Sequence, residues 1–142
     1  MRTVKQLLDE KGRDVVSVAP DASVIDAIRL MAERGIGALL VMDGPRLAGV
    51  MSERDYARKV ILHGRSSTDT RVSEIMSSDV QTVTPDDTVN ACMLLMTQRR
   101  IRHLPVMEGG EVAGVLSIGD LVKAVIADQQ EEISQLQQYI AG

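Results

Sequence analysis

The sequence predicts an α+β fold built from two copies of one β-α-β-β-α unit. Three observations carry this expectation. The phrase GVMSERD at 49–55 returns as GVLSIGD at 114–120. At that same spacing, residues 14–61 align with 79–126 without a gap, and close to half of the aligned positions are identical. The shared positions include Asp14/Asp79, Pro20/Pro85, Arg34/Arg99, Gly49/Gly114, Ser52/Ser117 and Asp55/Asp120. Finally, strand-like and helix-like runs fall in the same order in both copies.

Each copy opens on a short β-branched run ended by proline, VVSV and VQTV, which reads as a strand. A helix follows. Ser23 and Thr88 suit its N-cap, and Ser23 with Asp26 resembles a capping box. Val24, Ala27, Ile28 and Met31 keep helical spacing, as do Val89, Cys92, Met93 and Met96. Next come two strands, ALLVM and LAGVM, joined by the turn composition DGPR; the second copy has HLPVM, EGGE and VAGVL. A second helix is expected to start near Ser52 and near Ser117. Upstream of the copies, VKQLL (4–8) answers VSEIM (72–76) after a shift of three residues.

The expected organisation is a first repeat at 1–62, a polar linker HGRSSTDTR at 63–71, a second repeat at 72–126 and a helical tail at 127–142. One unit of about 60 residues makes a marginal core. The two repeats are therefore expected to pack as a pseudo-twofold pair, sheets facing each other, helices outside, with clefts between them. In the tail, Val122, Ile126, Ile133, Leu136 and Ile140 keep heptad spacing, broken at Gln129. That row fits a helix docked on its own repeat, and equally a helix paired with a second subunit.

Composition narrows the function. Apolar residues make up 44% of the chain, but aromatics are limited to Tyr56 and Tyr139, so the core is aliphatic. A net charge of −4 provides no overall positive field for nucleic acid. The single cysteine, Cys92, excludes an internal disulfide, and one Cys with two His cannot make a usual structural zinc site. The N-terminus lacks the apolar run of a signal peptide, and no stretch approaches the ~20 apolar residues of a membrane span. A cytoplasmic protein is expected.

The repeated phrase has two readings. Ser-x-x-Asp is a variant of the capping box, in which Ser and an acid satisfy orphan amides, and this alone explains both copies. The same groups can also face a ligand. A helix start offers free N–H groups to a phosphate, an Asp carboxylate can accept from a ribose diol, and Gly permits close approach to the backbone.

In its order of motifs and its duplication, the chain resembles a tandem pair of CBS domains, the regulatory nucleotide-binding modules named after cystathionine β-synthase. The resemblance covers about residues 4–126 and is carried by MSSDVQTVTPDDTVNACMLLMTQRRIRHLPVMEGGEVAGVLSIGDLVKAVI with its first-half counterpart. It implies two inter-module clefts that take AMP, ADP, ATP, NAD or S-adenosylmethionine. Asp55 and Asp120 match the family's ribose-binding acid, and Ser52 and Ser117 the hydroxyl before it. The backbone at Val16 and at Val80–Gln81 matches the wall beside adenine, and Ile36 and Ile101 an apolar contact on the base. Arg102 and His103 match the phosphate-holding positions and are grouped with Asp55, Ser52, Val80, Gln81 and Ile101 in a first cleft. Val16, Ile36, Gly37, Arg54, Ser117 and Asp120 form the second. Gly37 and Ala38 stand where the second copy has Arg102 and His103, so the clefts are expected to be unequal, with Arg54 compensating.

The remaining candidates have plainer readings. Arg99 and Arg100 suit a solvated helix end, His63 an exposed linker and Cys92 the core, and the paired methionines Met31/Met96 and Met42/Met107 read as packing residues rather than metal ligands. No Ser/His/Asp set, metal constellation or Walker loop is present, so a regulatory module is expected rather than an enzyme. The resemblance implies a homodimer formed by stacking of CBS pairs, with which the tail heptads agree, and an unidentified regulated protein. A structural dimerisation module and a nucleic-acid binder led by RRIRH are the alternatives.

Overall fold

The computed structural model describes residues 2–141. They form six helices and five strands: α1 (Val4–Lys11), β1 (Ser17–Val18), α2 (Val24–Arg34), β2 (Ala38–Asp43), β3 (Arg46–Ser52), α3 (Glu53–Tyr56), α4 (Val72–Ile75), α5 (Val89–Arg99), β4 (His103–Glu108), β5 (Glu111–Ser117) and α6 (Ile118–Ala141). A π-helical turn, Ala57–Ile61, continues α3. The mixed α+β class and the duplicated unit are as the sequence predicts.

The packing units are not the sequence repeats. One compact unit is Val15–Gln81, and the other combines the N-terminal residues up to Asp14 with Thr82 onward. The leading segments have thus changed places. Helix α1 opens the first repeat but packs with the rest of the second, while α4 opens the second and packs with the rest of the first. Apolar burial selects this arrangement. Val4, Leu7 and Leu8 join the core of Val89, Cys92, Met96, Leu104, Leu116 and Leu121. Val72 and Ile75 join that of Val24, Ala27, Met31, Val41 and Met51. Backbone bridges fix both leaders in the same way, Thr3 to Thr88 ahead of α1 and Arg71 to Ser23 ahead of α4.

Both leading helices escape the sequence reading because each is short. The signal that could have found α1 is its capping box, Thr3 with Gln6. Gly12, at φ 99°, ends it and donates its N–H to Leu8 O at 2.8 Å.

The hairpins β2–β3 and β4–β5 are antiparallel with equivalent registers, Ala38 opposite Ser52 and His103 opposite Ser117. Each carries a register shift at the same place, Val41/Met42 and Val106/Met107. The opening strands differ. In the first repeat Ser17–Val18 pairs parallel to β2, with Leu40 N–H donating to Val16 O at 3.2 Å. In the second, VQTV keeps only a parallel bridge between Val83 and Val106. The reason is Pro105, which stands where the first copy has Leu40. Proline has no N–H to donate, so the bond that would order Gln81 cannot form.

The tail is not a separate segment, because α6 runs unbroken from Ile118 to Ala141. Arg2 ties it to α1, pairing with Glu10 at 2.6 Å and Asp128 at 3.2 Å. Its heptad row does not dock on its own unit: Ile126 is 48% exposed and Ile140 82%. The linker is largely exposed as expected, except Thr70, which is buried and donates its N–H to Ser66 O.

Candidate functional site

Two helix starts place the repeated phrase. In the first, Asp55 N–H donates to Ser52 Oγ at 3.1 Å, and the Ser52 N–H and hydroxyl donate to Asp55 Oδ2 at 2.9 and 3.0 Å. In the second, Asp120 N–H donates to Ser117 Oγ at 3.2 Å and Ser117 N–H to Asp120 Oδ2 at 2.8 Å. Both phrases are therefore capping boxes, as the plainer reading holds. A carboxylate has about four acceptor positions, so capping does not exhaust it.

The glycines of the phrase serve the chain itself. A Cβ on Gly49 would stand 2.7 Å from Met76 Sδ and 2.8 Å from Ser77 O. One on Gly114 would stand 2.8 Å from Leu8 Cδ2. The group that needs close approach to the backbone is the leading segment packed on the strand.

Two lysines and a serine that the sequence reading passed over complete the surroundings of the acids. Lys59 Nζ lies 3.2 Å from Asp55 Oδ1 and donates to Ile75 O at 2.9 Å. Ser77 Oγ reaches the same Oδ1 at 3.5 Å. In the other unit Lys11 Nζ donates to Asp120 Oδ2 and to Val115 O, both at 2.7 Å. Lys11 lies in the three-residue surplus of the first leader over the second, and that surplus was its only sequence signal. Burial works to raise the Asp120 carboxyl, but hydrogen bonds from Lys11 and the Ser117 amide, with the Lys11 charge, outweigh it and hold the group below its ordinary value.

The stretches beside these helix starts are set by helix ends. Gly35 is left-handed at φ 63°, and Ile36 N–H closes on Met31 O. Arg100 takes the same conformation at φ 55°, and Ile101 N–H closes on Met96 O. The chain then passes the helix start: Glu53 N–H donates to Gly37 O at 3.0 Å and Ile118 N–H to Arg102 O at 2.8 Å. The backbone thus brings Ile36, Gly37, Val16, Ser52, Arg54 and Asp55 together in one unit, which also contains Val80 and Gln81. It brings Ile101, Arg102, His103, Ser117 and Asp120 together in the other, with His103 opposite Ser117 on the hairpin.

Most of the plainer candidates fall where their readings put them, but Met42 and Met107 are only half-buried and join neither core. Cys92 is buried, and burial with the nearby Asp87 charge pushes its thiol up to about 11. Met31 and Met96 are core residues and His63 is exposed. Among the described residues no cluster of His, Cys, Asp and Glu could hold a metal ion, and no helix is long and apolar enough to cross a membrane.

Comparison with known proteins agrees with this architecture. The family model described as CBS domain matches twice, at 4–61 and 72–127. A CBS domain-containing mitochondrial protein of Arabidopsis thaliana, CBSX3, is 40% identical over 149 residues, spanning 99% of this chain and 72% of its own. The solved structure of a protein with CBS domains from Burkholderia ambifaria is 57% identical with a TM-score of 0.87, covering 89% of this chain and 96% of its own. The fold is shared at 21% identity, with a TM-score of 0.80, by the CBS domain pair of protein MJ0100, over 90% of this chain and 98% of that one. That protein was solved in complex with 5-methylthioadenosine and S-adenosyl-L-methionine.

Proposed function

The chain belongs to the CBS-domain family, and from that premise we propose that it is a regulatory module controlled by an adenosine-containing ligand. AMP, ADP, ATP, NAD and S-adenosylmethionine share the group that its residues would read. One observation carries the reading: both repeats set a half-buried carboxylate beside a serine hydroxyl at a helix start, Asp55 with Ser52 and Asp120 with Ser117. In this reading the acids take the ribose hydroxyls. The backbones at Val16, Val80 and Gln81 and the side chains of Ile36 and Ile101 take the base. Arg54, Arg102 and His103 take phosphate, and Gly37 leaves room where its counterpart is basic. The MJ0100 complex supports the ligand class, since a protein of this fold accommodates two adenosine compounds.

The output is regulation rather than catalysis, exerted on a partner protein in the cytoplasm. A ligand shifts a conformational equilibrium only by its differential affinity for the two states. The exposed heptad row of α6 favours a homodimer as the assembly through which that shift is passed on. Nucleic acid is a poor fit to a chain of net charge −4 with two aromatic residues.

Calorimetric titration with AMP, ATP, NAD and S-adenosylmethionine tests the reading, using the wild type, Asp55→Ala and Asp120→Ala. Micromolar binding by the wild type, weakened at least about tenfold in one variant that keeps its fold, is the expected result. Silence from all four ligands with the wild type folded would leave the phrase as a helix cap alone.

A further inference from the structure

We propose that Lys11 and Lys59 are paired latches that tie each Ser-x-x-Asp carboxylate to the leading helix of its own unit, so that engaging the acid frees the end of that helix. This rests on the ligand reading above for what engages the acid, but the latch itself is a property of the chain.

The two lysines reach the same link by different routes. Lys11 is the last residue of α1 and bridges Asp120 Oδ2 and Val115 O, both at 2.7 Å. Lys59 sits on the π-helical turn and bridges Asp55 Oδ1 at 3.2 Å and Ile75 O, the last carbonyl of α4, at 2.9 Å. They are not repeat partners. Lys59 aligns with Ala124, and Lys11 has no counterpart in the second leader. Duplication therefore did not copy the link. In each unit an ammonium joins the acid to the leading helix through charge-assisted bonds, which are roughly twice as strong as neutral ones.

The latches are unequal. The end of α4 is also held by a reciprocal backbone bridge, Ser77 N–H to Val50 O at 2.9 Å and Val50 N–H to Ser77 O at 3.0 Å. At the equivalent place in the other unit, Val115 O takes the Lys11 ammonium instead. The hold of α1 on β5 therefore depends more on its lysine. A ribose diol that donates one hydroxyl to each Asp120 oxygen competes with Lys11 at Oδ2, and the end of α1 loosens when it wins.

Backbone hydrogen exchange on the full chain tests this. Asp120→Asn keeps the side-chain oxygen that accepts both the Ser117 N–H and the Lys11 ammonium, so it spares the cap and removes only the charge of the link. Lys11→Met should speed exchange at Leu8–Gly12 about fivefold and Asp120→Asn by less, with the double variant no faster than Lys11→Met alone and α5 unchanged. Lys59→Met should speed exchange at Met76 and Ser77 only about twofold, because the backbone bridge remains. Unchanged α1 exchange in Lys11→Met, or additive effects in the double variant, would overturn the latch.

Adenosine added to the wild type should reproduce the Lys11→Met pattern, whereas 2′,3′-dideoxyadenosine should not. Adenosine that binds by calorimetry, with binding weakened in Asp120→Ala, while leaving α1 equally protected would overturn the coupling. If neither adenosine nor AMP, ATP, NAD or S-adenosylmethionine binds and the variant effects stand, the ligand reading fails and the latch survives as a structural tie.

Discussion

At Gly49 and Gly114 the same residue type answers to different neighbours. The nearest atoms to a Cβ at Gly49 include a backbone oxygen, Ser77 O at 2.8 Å, which cannot turn away. At Gly114 the neighbour is the tip of Leu8, which can rotate. Gly49→Ala should therefore cost about 1–3 kcal/mol and Gly114→Ala less than about 1 kcal/mol, read as a shift in urea midpoint at constant slope. Asp120 makes an electrostatic prediction. Its carboxyl is held below the ordinary value of 3.8 against the upward push of burial. The folded state thus binds this proton less readily than the unfolded chain does. The resulting stabilisation is present from the ordinary carboxyl range upward and is lost as pH falls through the lowered value. Removing the ammonium in Lys11→Met leaves burial less opposed, so the Asp120 midpoint should rise in a carboxyl carbon-13 titration. An unmoved midpoint would mean that Lys11 does not set it.

Among the elements, the largest departure from the repeat is at the two Ser-x-x-Asp helices. The first is one α-turn, Glu53–Tyr56, followed by the π-helical turn Ala57–Ile61, and the second is the 24-residue α6. Their starts are equivalent because their caps are equivalent. Their lengths differ because downstream sequence differs: the first runs into the polar linker with Gly64 at φ 63°, whereas the second continues through residues that favour helix. Ile133, 54% exposed, and Leu136, 61% exposed, lie beyond the part of α6 that packs on its own unit. Ile133→Asp places a charge in the heptad row without touching a buried residue. It should leave helix content and thermal stability of the monomer nearly unchanged.

The same variant speaks to the assembly of the whole molecule. If α6 pairs with a second copy, the wild type should sediment as a dimer at micromolar concentration and Ile133→Asp as a monomer, since a seam position tolerates charge poorly. A wild type that sediments as a monomer would remove the dimer, and a dimer untouched by the substitution would move its interface elsewhere. The exchanged leading helices also matter at this scale. Each unit draws α1 or α4 from across the chain, so neither sequence repeat contains all of its own core. Cutting the chain between the repeats would divide both cores.

Periodicity and punctuation in the sequence determined the duplicated α-β-β-α part of the unit with its hairpins, the opening strand of the first copy and the starts of both Ser-x-x-Asp helices. Ser23 and Thr88 cap the helices predicted from the spacing of Val24 to Met31 and Val89 to Met96, because caps and helical faces are local properties. Four features required the tertiary structure. Leaders as short as VKQLL and VSEIM carry too little pattern to say which core takes them. The loss of the strand at VQTV depends on Pro105, more than twenty residues away, failing to donate one hydrogen bond. The glycines of the repeated phrase are explained by Leu8, Met76 and Ser77, none of them nearby in the chain. Lys11 meets Asp120 across 109 residues, and contacts at that separation have no local signature. Local chemistry wrote the elements and their caps, while the partners of the two acids were decided by which segments the cores draw together.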